Sequence, residues 1–114
     1  MTKSEQNKAI ADTILQQLGG QKFIVMTGAN SFSYGDNNLN FRLSSRITKH
    51  KAQCMRITLN GKDLYDLELM KIKNFELKLV DKKTDVDAEA LQGVFTEMTG
   101  LDTSIGEVRM MRRG

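Results

Sequence analysis

The chain has 114 residues, of which 39% are hydrophobic and 27% are charged, and its formal net charge is +3. These values suit one ordinary globular domain and exclude collagen-like, mucin-like, coiled-coil and disordered chains. No apolar run approaches the roughly 20 residues that span a bilayer, and the polar residues 1–12 predict no secretory signal peptide.

The chain contains one cysteine and one histidine. A single cysteine excludes an internal disulfide framework and suits a reducing compartment such as the cytoplasm. With one histidine, His50, most metal sites and catalytic triads are hard to assemble. We therefore expect a protein without enzymatic activity, metal or cofactor, and without a membrane partner.

The N-terminal residues 4–18 are predicted to form a helix. Ile10, Ile14 and Leu18 recur at helical spacing and form an apolar stripe. The pair Gly19-Gly20 supplies the backbone freedom with which helices commonly end.

The next two segments are predicted to be a strand and a loop. Residues 22–27 form a short apolar run rich in β-branched side chains, which is typical of a strand buried on both faces. Residues 28–38 are rich in Gly, Asn and Ser, which favours a loop, and this loop carries Phe32 and Tyr34.

Four later stretches alternate at period two, which predicts strands with one face toward a core. The turn signal Asn60-Gly61 joins two of them. A two-residue turn there would put Tyr65 on the wrong face, so either a longer loop or a bulge near Leu64 is needed. The predicted inward sets are Leu39, Phe41 and Leu43; Met55, Ile57 and Leu59; Tyr65, Leu67 and Leu69; and Phe75, Leu77 and Leu79.

Residues 86–99 are predicted to form a second long helix that ends at Gly100. The expected fold class is therefore α+β, an antiparallel sheet of about four to five strands with an N-terminal and a C-terminal helix packed on one face. We expect residues 1–105 to form a single domain and residues 106–114 to form a basic, flexible tail.

Positive charge is concentrated in residues 41–56, which carry five cations and no acidic residue. A local basic patch attracts polyanions, so DNA or RNA is a candidate partner. Phe32 or Tyr34 is then available to stack on bases. The simpler interpretation is a solvated loop, with the aromatic rings folded back on the core. The cations are Arg42, Arg46, Lys49, Lys51 and Arg56.

Other chemistry-bearing residues have simpler structural interpretations. His50 lies between two lysines with no neighbouring carboxylate to orient it, which disfavours a catalytic role. Cys54 is expected to be an inert thiol. Asp66 and Glu68 fall on the predicted solvent face of a strand, where carboxylates mainly confer solubility.

Three segments together resemble a small family of phage and mobile-element proteins. They are TILQQLGGQKFIVMTGAN (residues 13–30), ITLNGKDLYDLEL (57–69) and LQGVFTEMTGLDTS (91–104). The resemblance implies a one-domain protein expressed in the cytoplasm of a bacterial host, and it transfers no catalytic or binding residue to this chain.

The leading hypothesis is therefore a phage- or prophage-type binding module that contacts nucleic acid through the segment 42–56. The alternative is a protein–protein interaction module or an inhibitor of a host factor, without catalysis. A homodimer formed across an open sheet edge is compatible with either hypothesis.

Overall fold

The computed structural model describes residues 2–103, so the predicted basic tail at 106–114 lies outside the described residues. Within this range the chain forms three α-helices and five β-strands, with a short 3-10 turn at Lys49–Lys51. The elements are α1 (Lys3–Leu18), α2 (Gln21–Thr27), β1 (Asn30–Gly35), β2 (Asn38–Arg42), β3 (Cys54–Leu59), β4 (Tyr65–Lys73), β5 (Glu76–Val86) and α3 (Leu91–Thr99).

The strands form one antiparallel sheet in the order β1-β2-β3-β4-β5, so each strand pairs with its neighbour in sequence. Pairing aligns Leu39 with Ile57 and Ile57 with Leu67, which places all three on one face. Helices α1 and α3 pack against this face and bury it, so we call it the helix face. The predicted α+β class, with helices on one face of an antiparallel sheet, is confirmed, as are the first three inward sets. We call the opposite side of the sheet the outer face.

The β3–β4 connection is a five-residue loop, residues 60–64, because Leu59 pairs directly with Tyr65. The Asn60 amide donates to the Leu64 carbonyl at 2.8 Å. The Asn60 side-chain oxygen accepts from the Lys62 amide at 2.8 Å. Of the two sequence alternatives, the longer loop is therefore correct, and it keeps Tyr65 on the helix face.

The strand predicted at residues 22–27 is wrong, because this segment forms helix α2. Phe23 and Thr27 lie four residues apart and are both buried, and the Thr27 hydroxyl donates to the Phe23 carbonyl at 2.7 Å. Gly28 closes the helix in the left-handed conformation, with φ of 73°. A strand would have buried Val25, which in the helix is 71% exposed.

The loop predicted at residues 28–38 contains strand β1, which pairs with β2 through an irregularity between Asn30 and Ser33. The turn after β1 is held from α1 by a buried asparagine. Asn7 accepts the Asn37 amide and donates to the Asp36 carboxylate, both at 3.1 Å. This long-range contact fixes the turn of the polar β1–β2 hairpin against helix α1.

The fourth predicted inward set is also wrong. Phe75, Leu77 and Leu79 are 102%, 55% and 57% exposed. The pairing shifts by one residue between Leu69 and Met70, and this bulge reverses which β5 residues share a face with the core. Beyond the bulge, Leu77 and Leu79 lie opposite Ile72 and Met70 on the outer face.

The second long helix begins later than predicted, at Leu91, because β5 continues to Val86 and residues 87–90 form a turn. The Asp87 carboxylate accepts the Ala90 amide at 2.9 Å and stabilises that turn. Gly100 ends α3 with φ of 83°, as the sequence predicts.

The core is centred on three fully buried phenylalanines from three different elements. The ring of Phe23 lies 5.5 Å from that of Phe41 and 5.1 Å from that of Phe95, in edge-to-face arrangements. Phe41 and Phe95 are 6.3 Å apart. The cluster therefore joins α2, strand β2 and α3.

Candidate functional site

The five cations of the predicted basic segment lie in two different structural contexts. Arg42 and Arg56 lie on the outer face, where Arg42 is aligned with Cys54 and Arg56 with Asn40. The other three, Arg46, Lys49 and Lys51, lie in the β2–β3 connection, residues 43–53. The segment is thus divided between strand positions on the outer face and the β2–β3 connection.

Arg56 is engaged by its neighbours on the outer face. Its Nε donates to the Asn40 side-chain oxygen at 2.9 Å, and its guanidinium lies 3.9 Å from the Glu68 carboxylate. The Asn40 amide donates in turn to Asn38 at 2.9 Å. A phosphate at Arg56 must compete with this cross-strand network.

Cys54 lies between Arg42 and Arg56 and is partly buried. Burial raises the pKa of the Cys54 thiol, and the positive charges of the two arginines oppose that rise. Because burial is the larger effect, the thiol stays protonated near neutral pH, which is not the environment of a reactive cysteine.

Lys49 has a structural role at the end of α3. Its ammonium donates to the Glu97 carbonyl at 2.7 Å, and its side chain crosses Gly100 in close contact. A cation at a helix C-terminus is favourable because the last carbonyls lack partners there. Lys49 therefore connects the β2–β3 connection to the helix layer.

Replacing Lys49 with Met is expected to reduce the free energy of unfolding by about 1 kcal/mol, because the Glu97 carbonyl loses a charged donor. Urea denaturation measures this loss. Lys22→Met is the matched control, since Lys22 is exposed. Equal stability of the two variants would contradict the capping role.

The predicted aromatic pair lies on the helix side of the sheet, away from the outer-face arginines. Phe32 is partly buried, with its ring 5.5 Å from that of Phe41. Tyr34 is 42% exposed, and it lies opposite Leu39, near Lys8 of α1. Phe32 is thus part of the core packing.

A groove on the surface brings together lysines that are distant in sequence. It forms because β4 continues beyond β3, whose last pair is Cys54 with Met70. The β2–β3 connection meets this open edge at Gln53, whose side-chain oxygen accepts the Ile72 amide at 2.7 Å. The groove has a volume of about 290 Å³ and is lined by Ser45, Lys51, Gln53, Lys71, Ile72 and Lys73. We call it the lysine groove.

The residues that line the lysine groove include three lysines and no acidic residue. Within residues 2–103, no ion pair engages Lys51, Lys71 or Lys73. Like charges that converge without counter-charges repel one another, and a bound anion relieves that repulsion. The backbone at Lys51 is also held in the left-handed region, with φ of 58°.

Sequence reasoning identified Lys51 but missed Lys71 and Lys73. Residues 57–100 carry six cations and nine anions, so the segment reads as mildly acidic when it is counted as a whole. The available signal was the Lys-Ile-Lys alternation at residues 71–73, which puts two lysines on one side of a strand.

The acidic residues noted in the sequence have structural partners. Asp66 accepts the Asn60 side-chain amide and the Asp85 backbone amide, both at 3.0 Å. Lys62 forms an ion pair with Asp85 at 3.0 Å. Among the described residues, no group of three or more His, Cys, Asp and Glu side chains is arranged to hold a metal ion.

No protein-family model, curated protein or solved structure matches this chain. The resemblance to phage and mobile-element proteins therefore remains a prediction from the three segments quoted above. Across residues 2–103, none of the helices has the length and apolar character needed to cross a membrane.

Proposed function

We propose that the protein is a small, non-catalytic module of phage or mobile-element type that binds nucleic acid in the bacterial cytoplasm. The observation that carries the proposal is the convergence of Lys51, Lys71 and Lys73 on one open groove without a carboxylate in its lining. Lysine ammonium groups bind backbone phosphates as point charges, independently of base sequence.

The shape of the groove favours a chain of phosphates over a single small anion. The groove lies along the open edge of β4 rather than in an enclosed cavity, so a polymer can enter and leave it. Arg46 is exposed and follows the groove-lining Ser45, so it adds long-range attraction without counting among the three groove contacts.

The salt dependence of binding tests this proposal and counts the contacts. Fluorescence anisotropy with labelled single strands at about 50 and 200 mM salt is expected to give a slope of log affinity against log salt near −2.1, for three contacts. If all five cations of the segment 42–56 contacted phosphates, the slope would be about −3.5. Absence of binding at the lower salt would refute the proposal.

A second candidate function rests on the outer strip, defined as Met70, Ile72, Leu77 and Leu79 on the outer face. Three of the four side chains are exposed, Ile72 by 41% and the two leucines by more than half. Exposed Lys82 lies on the same face of β5, opposite Glu68, which precedes Met70 along β4. The strip suits a partner protein with an apolar surface of its own, as expected for a host-factor inhibitor.

The double variant Leu77→Ser/Leu79→Ser separates the two functions. The measurement is a pull-down from a bacterial lysate with the immobilised chain. If the outer strip is the functional surface, a protein that binds the wild-type chain no longer binds this variant, whereas it still binds a variant with reversed charges in the lysine groove. Retention of that protein by the double variant would contradict the partner function. Nucleic-acid binding through the groove is expected to be unchanged by the double substitution.

A further inference from the structure

The tip of the β4–β5 hairpin has an unusual residue at a strained position. Lys73 pairs with Glu76, so the turn consists of Asn74 and Phe75 alone. Both have positive φ, 55° and 66°, as a type I′ turn requires. Asn-Gly is the preferred pair in such turns, and a bulky residue with positive φ is a genuine outlier.

Packing does not account for this phenylalanine. The Phe75 side chain is 102% exposed, and its ring is absent from the aromatic contacts found among the described residues. The fold therefore carries backbone strain and an exposed aromatic ring at one position, where glycine would remove both. Strain without a packing gain points to a role in binding.

The position of Phe75 connects it to the lysine groove. Lys71 and Lys73 line the groove from β4, and Phe75 follows two residues after Lys73 at the tip of the same hairpin. A chain whose phosphates lie along these lysines therefore passes the exposed ring. This arrangement combines a cationic track with an aromatic platform, as in proteins that bind single strands.

We propose that the ligand of the lysine groove is single-stranded nucleic acid and that Phe75 stacks on one of its unpaired bases. The inference rests on the proposed function, because the groove must first hold the phosphates. Single strands are favoured over duplex because an unpaired base presents its face to a ring, whereas a duplex keeps its bases stacked internally.

Two oligonucleotides of about 12 nucleotides, one of deoxythymidine and one abasic, separate stacking from phosphate binding. The wild-type chain is expected to bind the thymidine strand roughly 5- to 100-fold more tightly than the abasic strand. Phe75→Gly is expected to abolish that preference and leave the salt slope unchanged, whereas Phe75→Trp retains it. Val25→Ser removes another exposed apolar side chain and serves as the control.

A loss of binding in Phe75→Gly cannot be due to unfolding, because the preferred Asn-Gly turn is expected to raise the Tm of this variant by roughly 4 °C. Unchanged thymidine preference in Phe75→Gly would overturn the stacking role while leaving the proposed function intact. Failure of the wild-type chain to bind either strand would overturn both. Loss of phosphatidylserine-vesicle binding in Phe75→Gly, with thymidine preference intact, would assign the tip to a lipid surface instead.

Discussion

Reversing the charge of Lys51, Lys71 and Lys73 together is expected to weaken single-strand binding by at least about 100-fold at low salt. Three phosphate contacts raise the association constant at 0.05 M salt by a factor of roughly 500 over its value at 1 M salt, since 0.05 raised to the power −2.1 is about 500. The introduced carboxylates add repulsion to that loss. Anisotropy with the labelled thymidine strand measures the effect directly.

A matched variant distinguishes the groove from a general effect of net charge. Lys3, Lys22 and Lys82 are exposed, and none of their ammonium groups forms an ion pair within the described part of the chain. Their reversal to Glu changes the net charge by the same amount, so only long-range attraction should fall, and by less than about tenfold. Equal losses in the two triple variants would contradict a localised site.

The triple reversal is also expected to leave the fold intact. Lys51 and Lys73 are exposed, and Lys71 is only partly buried. Removing three unpaired ammonium groups that face one groove relieves mutual repulsion, while three carboxylates restore a similar repulsion. An unchanged urea midpoint is therefore the result that permits a binding interpretation.

Periodicity predicted the parts of the fold in which local pattern and packing agree. The alternation around Leu39, Ile57 and Leu67 put these side chains on the helix face, and the helical spacing of Ile14 and Leu18 did the same for α1. Each of these segments has one apolar face, and burying that face satisfies propensity and packing at the same time. Strands β2, β3 and β4 and helix α1 followed from this agreement, as did the second half of the predicted C-terminal helix.

The failures occur where a distant residue decides the local structure. The run at residues 22–27 has strand-like composition, but helix α2 places Phe23 against the rings of Phe41 and Phe95. Likewise, the polar strand β1 is held by Asn7 of α1, 30 residues from Asn37. The local sequence pattern of a segment does not reveal such tertiary contacts, although they determine whether the segment forms a helix or a strand.

The fourth strand set failed because the pairing of β4 with β5 shifts register twice, between Tyr65 and Leu67 and between Leu69 and Met70. After the second shift, Leu77 and Leu79 lie on the outer face instead of the predicted core face. A period-two pattern fixes which side chains share a face, but it does not say which face is buried. Phe75 is exposed for a different reason, because it lies in the two-residue turn between Lys73 and Glu76.

The candidate site was only partly accessible from sequence for a related reason. Clustering along the chain identified Lys51, but it also included Lys49, which caps α3, and Arg56, which is engaged with Asn40 and Glu68. The groove depends instead on the pairing of β3 with β4, which ends at Cys54 and Met70. Charge density along a sequence therefore overestimates the free cations in one segment and misses those that the sheet brings together.

The largest expected loss of stability in this protein comes from truncating Phe41 to Ala. Phe41 is 1% exposed, and its ring contacts those of Phe23, Phe32 and Phe95. Removing a buried ring from such a cluster costs about 3–5 kcal/mol, from lost apolar burial and from the cavity that remains. Urea denaturation should show this loss, together with a fall in Tm of at least roughly 12 °C.

Leu79→Ala is the control for Phe41→Ala, because it truncates an exposed apolar side chain of the same sheet. Leu79 is also an apolar residue of the sheet, but it is 57% exposed on the outer face, so its truncation is expected to change the free energy of unfolding by less than about 0.5 kcal/mol. If Leu79 faced the core, as the sequence pattern predicted, its truncation would instead reduce the free energy of unfolding by about 2 kcal/mol or more. The difference between the two variants thus tests both the aromatic core and the register of β5.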